Sequence, residues 1–226
     1  MIQESRLQGI FEEQKGKKRI LFTKNLTPGI SVCGETLRNQ NNVEYREWDP
    51  SSSKISAAII KGLSQLGLKP RDVVLYLGCA TGTTVSYVSD IVGDKGLVFA
   101  VDIAPRVLRE LVFLAQKRSN LVPILADAHH PEIIAESACQ VDWLFQDVAQ
   151  RDQLEIFLKN VRTFLKPGGF GVVAIKARSI DVSKQPRVVL QQIRSQLEKH
   201  MTIVDYRELD PFQKDHGLFV AKSASK

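Results

Sequence analysis

The sequence predicts an α/β protein, in which a doubly wound, mostly parallel sheet of seven strands follows a small antiparallel β domain. From Asp72 onwards, apolar runs of strand length alternate with amphipathic helical segments. Strands that are apolar throughout and separated by helices indicate a parallel sheet covered on both faces. Residues 1–50 instead contain short β-prone runs broken by Gly, Asn and Lys. We therefore expect two domains, 1–50 and 51–226.

Each predicted element has its own signal. The helix before the first strand places Ile55, Ile59, Leu63 and Leu66 on one face, with serines ahead of them as candidate caps. The helix after the fourth strand carries an apolar stripe from Leu154 to Leu165 and is closed by "KPGG". Pro105 and Pro186 stand where a first helical turn should begin. The seven strands are predicted near 73–77, 97–102, 121–125, 141–146, 170–176, 201–207 and 217–222.

Charge and composition narrow the function classes. The 226 residues carry a net charge of +6, and residues 159–200 hold nine Lys or Arg against two Asp or Glu. This asymmetry fits either a solvated face or a surface that contacts phosphates. No apolar run is long enough to span a membrane, and no secretory signal is visible, so we expect a soluble, intracellular protein. Three cysteines without CxxC spacing predict neither a disulfide framework nor a zinc site.

The loops after the first three strands predict a site for an adenosine cofactor. The loop "GCATGTT" contains Gly78 and Gly82, which allow close backbone approach, and it opens a helix. Asp102 ends the second strand, where a carboxylate can accept hydrogen bonds from ribose hydroxyls. Asp127 and Ala128 follow the third strand, beside the expected adenine edge. Because dinucleotide enzymes share the first two features, these loops alone leave the cofactor open.

A second group of polar residues predicts proton chemistry beside this cofactor. Asp147 and Lys176 each end an apolar strand, Lys54 begins the helix before the first strand, and His216 precedes the last strand. Each residue alone has an ordinary structural explanation. Together, an Asp flanked by two lysines could orient a hydroxyl group and help to remove its proton.

Six ordered motifs resemble the fibrillarin family of RNA 2′-O-methyltransferases over nearly the whole chain. They are "YREWDPSSSKISAAI", "YLGCATGTTVSYVSDIVG", "RSNLVPILADAHHPE", "VDWLFQDVAQ", "AIKARSIDVS" and "DPFQKDHGLFV". The resemblance implies a Rossmann-like methyltransferase domain that uses S-adenosyl-L-methionine. It also implies methyl transfer to ribose 2′-hydroxyls of ribosomal and transfer RNA.

The resemblance also implies residue roles. Lys54, Asp147, Lys176 and His216 match the family's catalytic set, and no metal is implied. The family typically has Glu after the second strand, where this chain has Asp102. The residues expected to bind the cofactor are Gly78, Ala80, Gly82, Thr83, Thr84, Asp102, Ile103, Asp127, Ala128, Asp147 and Gln150.

The resemblance also implies the partners of this protein. They comprise a box C/D guide RNA that selects the target RNA, a Nop-family scaffold protein, and a kink-turn-binding protein of ribosomal type. The Gly/Arg-rich N-terminal tail of eukaryotic members is missing here. We therefore expect an archaeal type of member, located in the cytoplasm rather than in a nucleolus.

Other functions stay open at this point. They are a methyltransferase acting on a protein side chain or small molecule, a non-catalytic assembly subunit with the same fold, and a nicotinamide-dependent dehydrogenase. The Lys-Asp-Lys set disfavours the first two, and the loop "GCATGTT" disfavours the third. His129 and His130 are adjacent and so cannot form the spaced cluster that zinc sites use. Cys79 is expected to be a small packing residue rather than a nucleophile.

Overall fold

The N-terminal segment forms an antiparallel sheet of five strands, which confirms the expected β structure there. The computed structural model describes residues 1–224. The strands are β1 (Gln3–Glu4), β2 (Phe11–Lys15), β3 (Lys18–Lys24), β4 (Leu37–Gln40) and β5 (Val43–Glu47), in the spatial order β1-β2-β3-β5-β4. Asn41 and Asn42 join the last two strands with φ of 53° and 61°, a conformation that Asn tolerates in hairpin turns. The division into domains at residue 50 stays a prediction.

The rest of the chain builds the predicted seven-stranded sheet. Its strands are β6 (Val73–Leu77), β7 (Leu97–Asp102), β8 (Leu121–Leu125), β9 (Val141–Gln146), β10 (Leu165–Lys176), β11 (Thr202–Glu208) and β12 (His216–Lys222). Their spatial order is β11-β12-β10-β9-β6-β7-β8. The five strands from β10 to β8 in that order pair in parallel, whereas β12 runs antiparallel to both of its neighbours. The sheet therefore confirms the doubly wound, mostly parallel class.

Helices cover both faces of this sheet. They are α1 (Lys54–Ile60), α2 (Thr83–Val92), α3 (Pro105–Ala115), α4 (Pro131–Ile134), α5 (Gln153–Phe164), α6 (Ala177–Ile180) and α7 (Pro186–Leu197). Val74 and Tyr76 of β6 join the core that contains α1, α2 and α3. Leu75 and Leu77 point the other way and join the core that contains α5 and α7. Within residues 1–224, no helix is long and apolar enough to cross a membrane.

Two predicted boundaries were wrong. Helix α1 ends at Ile60, because Gly62 adopts a left-handed φ of 91° and turns the chain. Leu63 and Leu66 are buried all the same, but they pack from a loop. Strand β10 begins at Leu165, five residues earlier than expected, and its pairing with β9 shifts register between Leu165 and Phe170.

The proposed caps also differ from expectation. Ser53 occupies the N-cap position of α1, but its side chain makes no capping hydrogen bond, and its Oγ has no partner within residues 1–224. Pro105 and Pro186 do begin α3 and α7. The stripe of α5 is buried as expected, with Leu154, Phe157 and Phe164 all in the core.

A set of buried ions joins the N-terminal sheet to α2. Arg46 of β5 pairs with Glu35 and with Asp90 of α2, and Arg118 pairs with the other oxygen of Asp90 at 2.6 Å. We call Glu35, Arg46, Asp90 and Arg118 the buried cluster. The side chains of Arg46, Asp90 and Arg118 are 0% exposed. Hydrogen bonds to Ser86 and Thr23 satisfy further polar atoms, so the cluster fixes how the two sheets sit together.

Candidate active site

A cleft of about 260 Å³ opens where β6, β7, β8 and β9 end. The first strand of the sheet, β6, lies between β7 and β9, so the chain turns in opposite directions on its two sides. Loops separate at such a switch point, and ligands of doubly wound proteins bind there. The residues that line the cleft are Gly78, Ala80, Val101, Asp102, Ile103, Ala126, Asp127, Ala128, His129, Asp147, Val148, Ala149 and Gln150.

The glycine loop approaches the cleft through its backbone. Gly78 has a left-handed φ of 78°, and a Cβ added there would collide with the carbonyl oxygen of Asp147. The loop after β6 can therefore pass close to the loop after β9 only because residue 78 is glycine. Ala80 also adopts a positive φ, of 48°, and its N–H donates to Asp102 Oδ2 at 2.8 Å.

Asp102 is held in place by backbone groups of the loops that follow β6 and β7. Its Oδ2 accepts from Ala80, and its Oδ1 accepts from the N–H of Ala104 at 2.9 Å. Both donors are backbone groups, and no side chain within residues 1–224 donates to this carboxylate. A carboxylate in this position can still accept hydrogen bonds from ribose hydroxyls through its remaining lone pairs.

The structure brings eight of the predicted cofactor residues to the cleft. Three others, Gly82, Thr83 and Thr84, lie at the start of α2 and do not line it. Thr83 instead borders a separate cleft beside Phe113 and Leu114. The predicted contacts of these three residues with a cofactor stay predictions. Cys79 is buried, and burial raises the pKa of its thiol, so it is a protonated packing residue at neutral pH.

The four predicted catalytic residues meet at the edge of this cleft, and we call them the site cluster. Lys54 Nζ, at the start of α1, donates to Asp147 Oδ2 at 2.6 Å. Lys176 ends β10, and His216 begins β12, where the two residues are register partners. Because β12 runs antiparallel to β10, its first residue lies at the same sheet edge as the last residue of β10.

The charges of the site cluster act on His216. Partial burial lowers the pKa of this imidazole first, and the nearby cations of Lys54 and Lys176 lower it further. The carbonyl of Lys214, which contacts His216 Nδ1 at 2.6 Å, and the carboxylate of Asp147 oppose that shift. His216 is therefore neutral at pH 7, with Nδ1–H donating to the carbonyl of Lys214 and Nε2 left as an acceptor.

Gln153 is a positioning residue that the sequence pattern did not single out. It is fully buried at the start of α5, and its Nε2 donates to the carbonyl of Gln150 at 2.8 Å. Its Oε1 accepts from the N–H of Lys176 at 3.1 Å. Gln153 thus ties the loop after Asp147 to the end of β10. The sequence feature that could have identified Gln153 is its position, as a polar residue at the edge of the apolar stripe of α5.

Several cleft-lining residues were also missed. Val101, Ala126, Val148 and Ala149 supply apolar surface that was not predicted, whereas Ile103, which was predicted, lies at the rim and is 61% exposed. Small and apolar residues in strands and loops give no sequence signal that separates a ligand wall from a core. His129 lines the cleft as well, without belonging to any metal site. Within residues 1–224, no group of three or more His, Cys, Asp or Glu could hold a metal ion.

The fold and the cleft together define a class. A mostly parallel sheet with a glycine loop, an acidic residue after the second strand and an apolar wall fits a protein that binds an adenosine cofactor. A lysine-aspartate pair beside the cleft adds a means of handling a proton. These features are those of an enzyme that binds a nucleoside-type cofactor and handles a proton beside it.

Comparison with known proteins gives the family. The fibrillarin family model matches residues 1–225, and the chain belongs to this family. A fibrillarin-like rRNA/tRNA 2′-O-methyltransferase of Thermococcus onnurineus is 47% identical over 94% of each chain. The crystal structure of Aeropyrum pernix fibrillarin with natively bound S-adenosyl-L-methionine matches with TM-score 0.89 and 42% identity, over 98% of this chain and 97% of that one. The crystal structure of a fibrillarin/Nop5p complex matches with TM-score 0.83 and 38% identity, over 90% of this chain and 94% of that one.

Proposed function

We propose that this protein transfers a methyl group from S-adenosyl-L-methionine to ribose 2′-hydroxyls of ribosomal and transfer RNA, as the catalytic subunit of a box C/D ribonucleoprotein. The observation that carries the proposal is the Lys54–Asp147 ion pair of 2.6 Å at the rim of the cofactor cleft. An alcohol acceptor must lose its proton during methyl transfer, and a basic side chain held beside the cleft can take it. The methyltransferase relatives support the same reaction class.

The cleft fits the proposed cofactor. Asp102 is oriented as an acceptor for two ribose hydroxyls, and Val101, Ala126 and Ala128 offer an apolar wall for a flat base. The glycine at residue 78 keeps the passage beside Asp147 open. When bound, S-adenosyl-L-methionine supplies an electrophilic methyl group on a sulfonium that departs as a neutral thioether.

The site cluster has the geometry for orienting the acceptor. We assign Lys176 to contact the 2′-hydroxyl and, in its uncharged amine form, to take the proton that this hydroxyl loses as the new carbon–oxygen bond forms. Asp147 holds Lys54 through the ion pair, and His216 stands opposite Lys176 across the β10–β12 pairing. Because alignment of a nucleophile can supply much of a rate enhancement, these residues act mainly by fixing its position.

Cations beyond the site cluster suit the RNA backbone. Arg178 and Lys184 are exposed and lie in α6 and in the segment after it. Contacts of this type hold phosphates and carry no base sequence. Target choice therefore has to come from base pairing with a guide RNA, as in other guided systems.

The proposed partners divide the remaining work. A Nop-family scaffold would hold this subunit beside the guide–target duplex, as suggested by the match to the fibrillarin/Nop5p complex. A kink-turn-binding protein of ribosomal type would anchor the guide RNA. The chain alone is then expected to methylate RNA weakly or not at all.

The proposal is tested by reconstitution. The full chain is combined with guide RNA, scaffold, kink-turn-binding protein and target RNA, and 2′-O-methylation is mapped by resistance to alkali. The expected result is modification of one nucleotide, which moves when the guide sequence is changed. Methylation that ignores the guide, or equal activity without the scaffold, would contradict the guided mechanism. Binding of S-adenosyl-L-methionine without any RNA methylation would contradict the choice of acceptor.

A further inference from the structure

His129 stands at the cleft with both of its ring nitrogens facing carboxylates. Its Nδ1 lies 2.7 Å from Asp127 Oδ1, and its Nε2 lies 3.0 Å from Asp152 Oδ2. The backbone N–H of His129 also donates to Asp127 Oδ1, at 2.9 Å. The ring therefore spans from the loop after β8 to the N-cap residue of α5.

Only a protonated ring satisfies both contacts. A neutral imidazole has one N–H and can donate to one carboxylate, whereas an imidazolium donates to both. The hydrogen bond to Asp127 raises the pKa of His129 first; partial burial opposes it, and Asp152 adds to the rise. The N–H of His129 and its ring together lower the pKa of Asp127, so that residue is ionised.

This bridge acts on a residue that lines the cleft. Both hydrogen bonds reach Oδ1 of Asp127, and within residues 1–224 no donor reaches its Oδ2. A free carboxylate oxygen beside an apolar wall complements the exocyclic amine of an adenine, which donates hydrogen bonds. On the other side of the loop, Asn160 Nδ2 of α5 donates to the carbonyl of Ala128 at 2.8 Å. The same loop is thus held to α5 at two points.

We propose that His129 is a positioning residue for the adenine end of the cofactor, acting as a cationic bridge that fixes Asp127 against the first turn of α5. This inference rests on the proposed function, because it requires that the cleft binds an adenosine cofactor. His129 does not touch the reacting groups, and it acts through Asp127.

Cofactor affinity then depends on pH through this bridge. The bridge is complete below the ordinary imidazole pKa and is lost as the pH rises through the raised pKa of His129. The other titratable groups nearby are His130, whose Nδ1 lies 2.9 Å from Glu132 Oε1, and Arg151, Glu155 and Lys159 before and along α5. His130 does not line the cleft, so it provides a matched control.

The test measures the Kd of S-adenosylhomocysteine by calorimetry at about pH 6 and about pH 9, on either side of the expected titration. Between the lower and the higher pH, the Kd of the wild type should rise about fivefold more than the Kd of His129→Gln does. A difference of this size is typical of partly exposed ion pairs. His129→Arg keeps a cation at both pH values and should bind with nearly constant affinity. His130→Asn should behave as the wild type does.

A spectroscopic measurement separates positioning from a general structural role. The ring pKa of His129, measured by NMR, should lie above the ordinary value of about 6.5 and fall in Asp152→Asn. Equal pH dependence of Kd in wild type and His129→Gln would overturn the inference while leaving the proposed function intact. Failure of the wild type to bind S-adenosylhomocysteine at either pH would overturn the proposed function, and this inference with it.

Discussion

The buried cluster and the site cluster both pair basic side chains with an aspartate, but they differ in their access to solvent. The side chains of Arg46, Asp90 and Arg118 are 0% exposed, whereas those of Lys54 and Asp147 are 20% and 25% exposed. Both carboxylate oxygens of Asp90 accept hydrogen bonds from protein donors. Within residues 1–224, Asp147 makes one ion pair, through Oδ2, at the rim of a cleft.

The difference indicates two uses of charge in one fold. In the buried cluster every charge has a protein partner and almost no access to solvent, so the cluster fixes the arrangement of the two sheets and is closed to a ligand. In the site cluster the charges are close together and partly open, so a substrate hydroxyl can enter among them. Changes in the first should therefore alter stability, and changes in the second should alter activity.

The largest expected effect is on the buried cluster. Asp90→Ala leaves Arg46 and Arg118 buried beside each other without their shared carboxylate. We expect the free energy of unfolding to fall by about 3–5 kcal/mol, as measured by chemical denaturation. Asp94→Ala, at an exposed position just after the same helix, should change it by less than about 0.5 kcal/mol. A similar small loss for both variants would contradict the role of the buried cluster.

The next effect is on the site cluster. Lys176→Ala should lower the methyl-transfer rate by about 10²–10³ in the assembled particle while leaving stability nearly unchanged, because Lys176 is exposed. Lys176→Arg keeps the positive charge but cannot accept a proton at neutral pH, so it should be similarly inactive. Lys166→Ala, near the opposite end of β10, serves as the control. An active Lys176→Arg would show that charge alone is required.

A smaller effect concerns the opening between the loops. Gly78→Ala should weaken cofactor binding about tenfold, because its Cβ would collide with the carbonyl of Asp147 in addition to straining a left-handed backbone. Gly93→Ala shares the backbone strain, with φ of 73°, but its Cβ meets nothing within 4 Å. Calorimetric titration with S-adenosylhomocysteine should therefore distinguish them. Equal affinities in the two variants would show that the contact at Gly78 is unimportant for the cofactor.

The smallest effect is on pH dependence. The lowered pKa of His216 means that the unfolded chain binds a proton more readily than the folded one as the pH falls through about 6.5. Stability should therefore decline between about pH 7 and pH 5, and His216→Gln should remove about 0.5 kcal/mol of that decline, because solvent screens a partly exposed ring. Urea denaturation at both pH values measures the difference. An unchanged pH slope in the variant would contradict the lowered pKa.

The sequence predicted most of the fold because local patterns carry it. Strands β6, β7, β8 and β9 occupy the residues that the apolar runs indicated. The early end of α1 was not predicted because the apolar spacing continues through Leu63 and Leu66. The left-handed turn at Gly62 is a backbone conformation, which that spacing does not reveal. The early start of β10 was hidden by "KPGG", which is typical of a loop.

The site was predictable in composition but not in contacts. The motifs singled out Lys54 and Asp147, yet these residues are 93 positions apart, and only the sheet topology brings them to 2.6 Å. The bridge through His129 was missed because its second partner, Asp152, lies 23 residues further along the chain. Metal sites are found in sequences by the short spacing of their ligands. That criterion does not detect two residues so far apart.

The most direct test of the account compares Asp147→Asn with Asp142→Asn in the assembled particle, by single-turnover methylation of a guided target at saturating cofactor. Asp142 lies on β9, the strand that ends just before Asp147, and pairs with Lys166 at 2.7 Å, so it is matched in residue type and in ion pairing. We expect Asp147→Asn to be slower by at least about 10², and Asp142→Asn to remain within about twofold of the wild type. Equal rates for the two variants would contradict the assignment of the active site to the Lys54–Asp147 pair.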